Sequence, residues 1–153
     1  RILVPVDGSR TSTLGLQEAI RLAKSNKARL RLIHVVDVSM ALQDSAYTFG
    51  TEDLLGILNK GGEQSLKQAQ ALVGKHGIKP ESRLVESFSG RVADVIVGDA
   101  KKWRADLIVM GTHGRRGFSH MVLGSDAEMV IRSTPAPVLL VRGSAPAKRK
   151  KAK

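Results

Sequence analysis

Apolar and polar positions along this chain alternate between two kinds of pattern: short continuous apolar runs, and longer stretches in which apolar residues return every three or four positions. The first kind suits strands buried on both faces of a parallel sheet, and the second suits amphipathic helices. Arg1 to Val6 reads as a buried strand, and Leu16, Ala19, Ile20 and Ala23 then recur at helical spacing before a second strand from Arg29 to Val36. Residues Asp37 to Gly50 follow neither period and read as a loop. A long amphipathic segment from Glu52 to His76 carries Leu55, Leu58, Leu66, Ala69 and Val73 on a drifting apolar face. Gly61-Gly62 interrupts it, and because glycine inside a helix costs ~1 kcal/mol relative to Ala, a break or kink is expected there.

Arg83 to Phe88 forms a short third strand in this reading. After Gly90, Val92, Val95, Ile96, Ala100 and Trp103 recur at helical spacing, with Trp103 packing in the core or against a partner. Asp106 to Met110 is the fourth strand, a helix opens at Ser125, and Pro137 to Val141 is the fifth strand. Five strands alternating with four helices predict an α/β fold, an open doubly wound parallel sheet with helices on both faces. No repeat with a period of roughly 20 to 50 residues is visible, which argues against a solenoid.

Composition narrows the class. A chain of 153 residues has the size of one domain, and 42% hydrophobic content with only 3% aromatic content implies a core of Val, Leu, Ile and Ala. Cysteine is absent, which excludes disulfides, thiolate metal sites and thiol nucleophiles and fits a reducing cytoplasm. No apolar run approaches the ~18 residues of a membrane span, and no signal-peptide pattern leads the chain, which opens on Arg1 rather than Met.

Candidate chemistry gathers where glycines meet strand ends. Gly111 follows the fourth strand directly, at the carboxyl end where such sheets deliver loops to ligands. The run Gly111-Thr-His-Gly114 is followed after nine residues by Gly124-Ser125. Glycines there leave backbone N–H groups unobstructed, and those groups attract phosphate when a helix N-terminus backs them. A ligand-free account uses the same residues: Ser125 caps a helix and Glu128 reaches back to it as a capping box.

Together with the opening Arg1-Ile-Leu-Val-Pro-Val-Asp-Gly-Ser9, the glycine spacing resembles the universal stress protein family, in particular its ATP-binding branch. That branch carries Gly, two residues, Gly, nine residues, then Gly with Ser or Thr, and Gly111, Gly114, Gly124 and Ser125 fit it without a gap. The second strand ending His34-Val35-Val36-Asp37 and the closing strand Pro137 to Val141 extend the resemblance over nearly the whole chain except the last ten residues. It implies a Rossmann-like sheet of order 3-2-1-4-5, with ATP or another adenine nucleotide between the first and fourth strands.

Residue by residue, Asp7 lies just past the first strand, where its carboxylate can accept from a ribose hydroxyl or an adenine amino group, or cap the next turn with Ser9 or Ser12. By resemblance Asp7 contacts the adenosine, and the backbone of Val35 reads the adenine edge. Pro5 has no N–H and is unusual in a central strand, which hints at an irregular end lining a cleft. Met110, immediately before Gly111, joins the candidate set. His113 and Arg115 flank Gly114 and can supply positive charge to phosphates. His120 is too loosely placed to pair with His113, and no metal site is expected. Asp126 departs from the small or apolar residue usual at its place in the family. Either Mg²⁺ joins its carboxylate to a phosphate, or the carboxylate points away.

The motifs of phosphate-loop enzymes, esterases, zinc proteases and kinases are all missing, so any hydrolysis is expected to be slow. The formal net charge is +11, and five of those charges lie in Lys148 to Lys153. Residues 1–143 are expected to form the domain, with 144–153 a structureless basic tail that can hold nucleic acid or another anionic surface through counterion release. The reading is therefore a cytoplasmic, adenine-nucleotide-binding regulatory module with little turnover, dimeric through its last strand and working through a protein partner. The alternatives are a same-fold interaction protein that binds no nucleotide and a nucleic-acid-associated protein anchored by its tail.

Overall fold

The computed structural model describes residues 1–39, 51–88, 91–112 and 123–143, without the side chains of 51–53. The apolar runs form five strands: β1 (Ile2–Pro5), β2 (Leu30–Asp37), β3 (Glu81–Ser87), β4 (Leu107–Gly111) and β5 (Val138–Val141). All pair in parallel, in the order β3-β2-β1-β4-β5, the order that the resemblance implies. The helical stretches become α1 (Arg10–Asn26), α2 (Thr51–Gly74), α3 (Val92–Trp103) and α4 (Ser125–Ser133).

Alternation along the strands divides the core in two. Ile2, Val4, Leu30 and Leu32 face α1 and α2, meeting Leu16, Ala19, Ile20, Ala23, Leu66, Ala69 and Val73. Leu3, Ile33, Ile108 and Met110 face the other way and pack with Ala93, Ile96, Val97, Trp103, Ala127 and Val130. Each fully buried Leu, Ile or Val contributes about 1.5–3 kcal/mol of transfer free energy, so β1, covered on both faces, anchors the sheet. The edges differ. β3 exposes polar side chains, whereas β5 is an apolar edge half-buried along its whole length.

The expected break at Gly61-Gly62 does not occur; α2 runs unbroken through both glycines. Leu54, Gly62, Leu66, Ala69 and Val73 are buried on one stripe, with Leu58 half-buried between Leu54 and Gly62. A Cβ at Gly62 would lie 2.6 Å from Leu84 Cδ1 and 2.9 Å from His34 Cδ2, so glycine lets the helix press closely against β2 and β3. Tertiary packing overrides the local propensity cost. The loop reading from Asp37 onward fails where it can be followed, since Asp37 closes β2 and Val38 and Ser39 are helical; from position 40 the segment lies outside the described residues.

The expected capping box is also absent. Gly124 is the N-cap of α4 and makes no side-chain cap, Ser125 is the first helical residue, and Glu128 pairs instead with Arg132 at 2.7 Å, one turn on. β3 begins two residues earlier than Arg83 because Glu81 pairs with Arg31 of β2 both in register and through a 2.5 Å ion pair. This contact belongs to a charged cluster under α3. Asp99, 4% exposed, pairs with Arg31 and Arg83, and the Arg31 guanidinium lies 4.5 Å from the Trp103 ring centroid. Trp103 is thus core packing with a cation on its face.

Candidate functional site

β1 and β4 are neighbours, but the helices that follow them leave toward opposite faces, so a crevice opens at their carboxyl ends. The wall on one side is the first turn of α1, laid against the end of β4. A Cβ at Gly111 would fall 2.7 Å from the carbonyl carbon of Thr11 and 2.8 Å from its oxygen; one at Gly15 would fall 3.1 Å from the Gly111 nitrogen. Gly111 is therefore glycine because the α1 backbone occupies its side-chain space, whatever else the loop does.

The turn from β1 into α1 closes on its own polar groups. Ser12 Oγ, buried, donates to the Pro5 carbonyl at 3.4 Å and accepts the Asp7 N–H at 3.2 Å. Asp7 Oδ1 accepts the Ser9 N–H at 2.8 Å, and Ser9, the N-cap of α1, accepts the Ser12 N–H at 3.1 Å. Gly8 takes φ +80, the left-handed conformation this tight turn requires, with Ser65 of α2 packed beside it. The turn-capping role of Asp7 is thus real. One carboxylate oxygen holds the turn at the mouth of the crevice, and a carboxylate has acceptor capacity for more than one donor.

On the other side, Thr112 donates its N–H to the Val141 carbonyl at 3.0 Å, and Gly124 donates its N–H to the Thr112 carbonyl at 2.9 Å. The Gly124 N–H is thereby engaged within the fold. The N–H groups that begin α4, at Ser125, Asp126 and Ala127, have no helical carbonyl behind them and carry the positive end of the dipole. Ser125 and Asp126 are exposed there, with the Asp126 carboxylate in the first turn. The N-terminus of α1, which has no acidic residue in its first turn, borders the same crevice.

Pro5, Asp7 and Val35 are half-buried and Met110 is buried, all at the carboxyl ends of their strands, with Gly111, Gly124 and Ser125 beside them. His113, Gly114, Arg115 and His120 lie outside the described residues. Two residues that bear on the site are not among the candidates the sequence offers. His34 is 4% exposed and its Nδ1 lies 2.7 Å from the Val6 carbonyl; Gly62 gives its ring room. An unbroken four-residue spacing from Leu54 through Leu58 and Gly62 to Leu66 was the available signal. Among the described residues no group of three or more His, Asp or Glu is placed to hold a metal. A cavity of about 390 Å³ between Lys101, Arg104, Asp106 and Pro135 to Pro137 lies at the opposite, amino-terminal end of β4 and β5.

Comparison with known proteins agrees with this architecture. The model of the universal stress protein family matches residues 1–142. Universal stress protein MJ0531 of Methanocaldococcus jannaschii is 38% identical over 143 residues, covering 93% of this chain and 81% of the relative. A crystal structure of a universal stress protein family member from Burkholderia pseudomallei superposes with a TM-score of 0.74 at 32% identity, over 93% of this chain and 95% of that one. Two further structures share the fold: the Archaeoglobus fulgidus universal stress protein in complex with dAMP, and a universal stress protein in complex with cAMP. The first has a TM-score of 0.66 and 23% identity over 92% of this chain and 96% of that one. The second has 0.63 and 24%, over 94% and 96%.

Proposed function

The chain belongs to the universal stress protein family, and on that premise we propose that it binds an adenine nucleotide, ATP among them, as a regulatory or stress-response module. One observation carries the reading: the N-termini of two helices, α1 and α4, and the half-buried Asp7 all lie past the carboxyl ends of the neighbouring strands β1 and β4, at the switch point of the sheet. That donor set suits a ligand with an anionic end and a polar end, phosphates at the helix N-termini and ribose or adenine at the carboxylate. The dAMP and cAMP complexes of two proteins of this fold support the same ligand class.

In this proposal Pro5, Asp7, Val35 and Met110 border the adenosine. Gly111, Gly124 and Ser125, with His113, Gly114 and Arg115 of the intervening loop, border the phosphates. Asp126 is the carboxylate through which Mg²⁺ would be held if the bound form carries it. The proposal includes a homodimer joined along β5, a domain of residues 1–143 and a basic tail of 144–153. No helix among the described residues is long and apolar enough to cross a membrane. In this reading the nucleotide is held rather than consumed: Asp7, the carboxylate at the adenosine end, is engaged in its turn, and hydrolysis should fall well below the ~10 s⁻¹ typical of enzymes.

Mass spectrometry of the protein purified without added ligand, followed by calorimetry with ATP, ADP, AMP and cAMP, tests the reading. Adenine nucleotide should be recovered. Asp7→Ala should weaken binding by about tenfold, the worth of one charge-assisted hydrogen bond. A folded protein that carries none of the four and gives no binding heat with any of them would leave the interaction-module reading in its place.

A further inference from the structure

Backbone parity in β2 shows where its last residues point. Ile2 donates to the Arg29 carbonyl and Val6 to the Ile33 carbonyl, both at 2.8 Å, so the odd-numbered residues of β2 turn their N–H and C=O toward β1. Val35 is next in that series. One more rung would join its N–H to the Val6 carbonyl, but β1 ends at Pro5, and no such backbone bond occurs among the described residues. The Val6 carbonyl accepts instead from the His34 ring, Nδ1 to O at 2.7 Å. A carbonyl only accepts, so Nδ1 carries the proton. The ring has little freedom: it is 4% exposed and lies where α2 passes at Gly62.

We propose that His34 is a positioning residue of the nucleotide site: by taking the Val6 carbonyl it ends the β1–β2 ladder one rung early. That leaves the Val35 N–H and C=O to the ligand and fixes the strand end that carries Asp7. The proposal rests on the adenine-nucleotide reading for its ligand, but its structural half stands apart from it. The Val35 backbone offers one donor and one acceptor side by side in the crevice, the pairing that an adenine edge, with its amino group and ring nitrogen, complements.

The test uses ¹⁵N-labelled full-length protein, His34→Phe to remove the donor while keeping a ring of similar size, and His34→Asn, whose amide N–H reaches the place of Nδ1. In the wild type without nucleotide, the His34 ring should be the Nδ1–H tautomer, and the Val35 amide should exchange faster than that of Ile33. In His34→Phe the Val6 carbonyl is released to Val35, whose amide should become protected while affinity for ATP and AMP falls about tenfold. His34→Asn should recover most of that loss. A proton on Nε2 alone, a Val35 amide equally protected in wild type and His34→Phe, or unchanged affinity in a folded His34→Phe would each overturn the proposal, as would an Asn variant no better than Phe. If His34→Phe does not fold, the wild-type tautomer, the Val35 exchange and the Asn variant still decide it. Should the wild type bind no adenine nucleotide, the functional reading falls, while tautomer and exchange continue to judge the role of His34.

Discussion

Two adjacent glycines in one helix should respond to alanine with opposite signs. At Gly61 a Cβ would meet nothing within 4 Å, so Gly61→Ala should gain the helix-propensity difference, about 0.5–1 kcal/mol. At Gly62 the same propensity gain is opposed by contacts of 2.6 Å to Leu84 Cδ1 and 2.9 Å to His34 Cδ2, the first about 0.8 Å short of ordinary van der Waals separation. Leu84 can swing its methyl aside. The His34 ring can yield only by straining its 2.7 Å bond to the Val6 carbonyl, so the helix and ring must part. Overpacking of this kind costs about 1–3 kcal/mol, which leaves Gly62→Ala destabilised by about 1 kcal/mol after the propensity gain. For a chain of this size that separates the variants by several degrees in Tm, about 2–4 °C per kcal/mol. Urea and thermal unfolding followed by circular dichroism measure both. Equal stabilisation at the two positions would refute the close approach of α2 and the account of why the helix is unbroken.

Three other outcomes follow from the cluster under α3 and from the open edge. The hydrogen bond from Arg31, with a second from Arg29, holds the Glu81 carboxyl below its ordinary range, so its contribution is present above the unfolded pKa and lost as pH falls through the folded one. Glu81→Gln should therefore cost roughly 0.5–1 kcal/mol at neutral pH, solvent screening included, and converge with the wild type in acid; a deficit independent of pH would contradict this. Asp99→Ala takes the buried carboxylate from Arg83 and leaves Arg31 to Glu81 alone, and should cost about 1.5–3 kcal/mol in urea melts, with a loss below about 1 kcal/mol counting against the pairing. In β5 the Pro137 and Val141 carbonyls serve β4, so the Leu140 N–H faces the open edge; if the proposed dimer pairs there, light scattering should give a dimer for the wild type and a folded monomer for Leu140→Pro. A dimer that survives the proline would exclude pairing through β5.

The strands were legible because burial on both faces writes itself as continuous apolar residues, and Leu3, Val4, Leu32, Ile33, Ile108 and Val109 are all inaccessible to solvent. Their order came from the family resemblance, since alternation of strands and helices does not say which strand lies beside which. What local pattern missed was set at long range. Gly62 looked like a helix breaker because propensity is local, whereas its reason is a side chain on β2, 28 residues earlier. His34 read as one more residue of an apolar strand end, although it tethers the neighbouring strand. Asp99 sits on the buried stripe of α3 between Ile96 and Trp103, tolerated only because Arg31 and Arg83 come from two other strands to meet it. Ser125 and Glu128 matched a capping box in type and spacing, but the helix starts one residue earlier than that motif requires, with Gly124 in the N-cap place.

Glycine clears space for a ligand or for another part of the chain, and the two uses predict different variants at the two ends of the glycine motif that runs from Gly111 to Gly124. At Gly111 the Thr11 backbone fills the space that a side chain would take, and backbone yields far less readily than the end of a side chain. Gly111→Ala should thus push α1 from β4 and lose about 2–3 kcal/mol of stability, with or without nucleotide present. At Gly124 the backbone, φ −65 and ψ 145, is one that any residue adopts, and its N–H already serves the Thr112 carbonyl. In the proposed site, a side chain there would keep that hydrogen bond and crowd the approach to the N–H groups of Ser125 and Asp126 instead. Gly124→Val should therefore unfold within about 1 kcal/mol of the wild type yet bind nucleotide about tenfold or more weakly, as expected when one hydrogen bond to phosphate is lost. Unfolding titrations beside calorimetry with ATP separate the cases. A Gly124→Val protein of normal stability and normal affinity would remove the start of α4 from the site and leave the Asp7 turn and α1 to hold whatever binds.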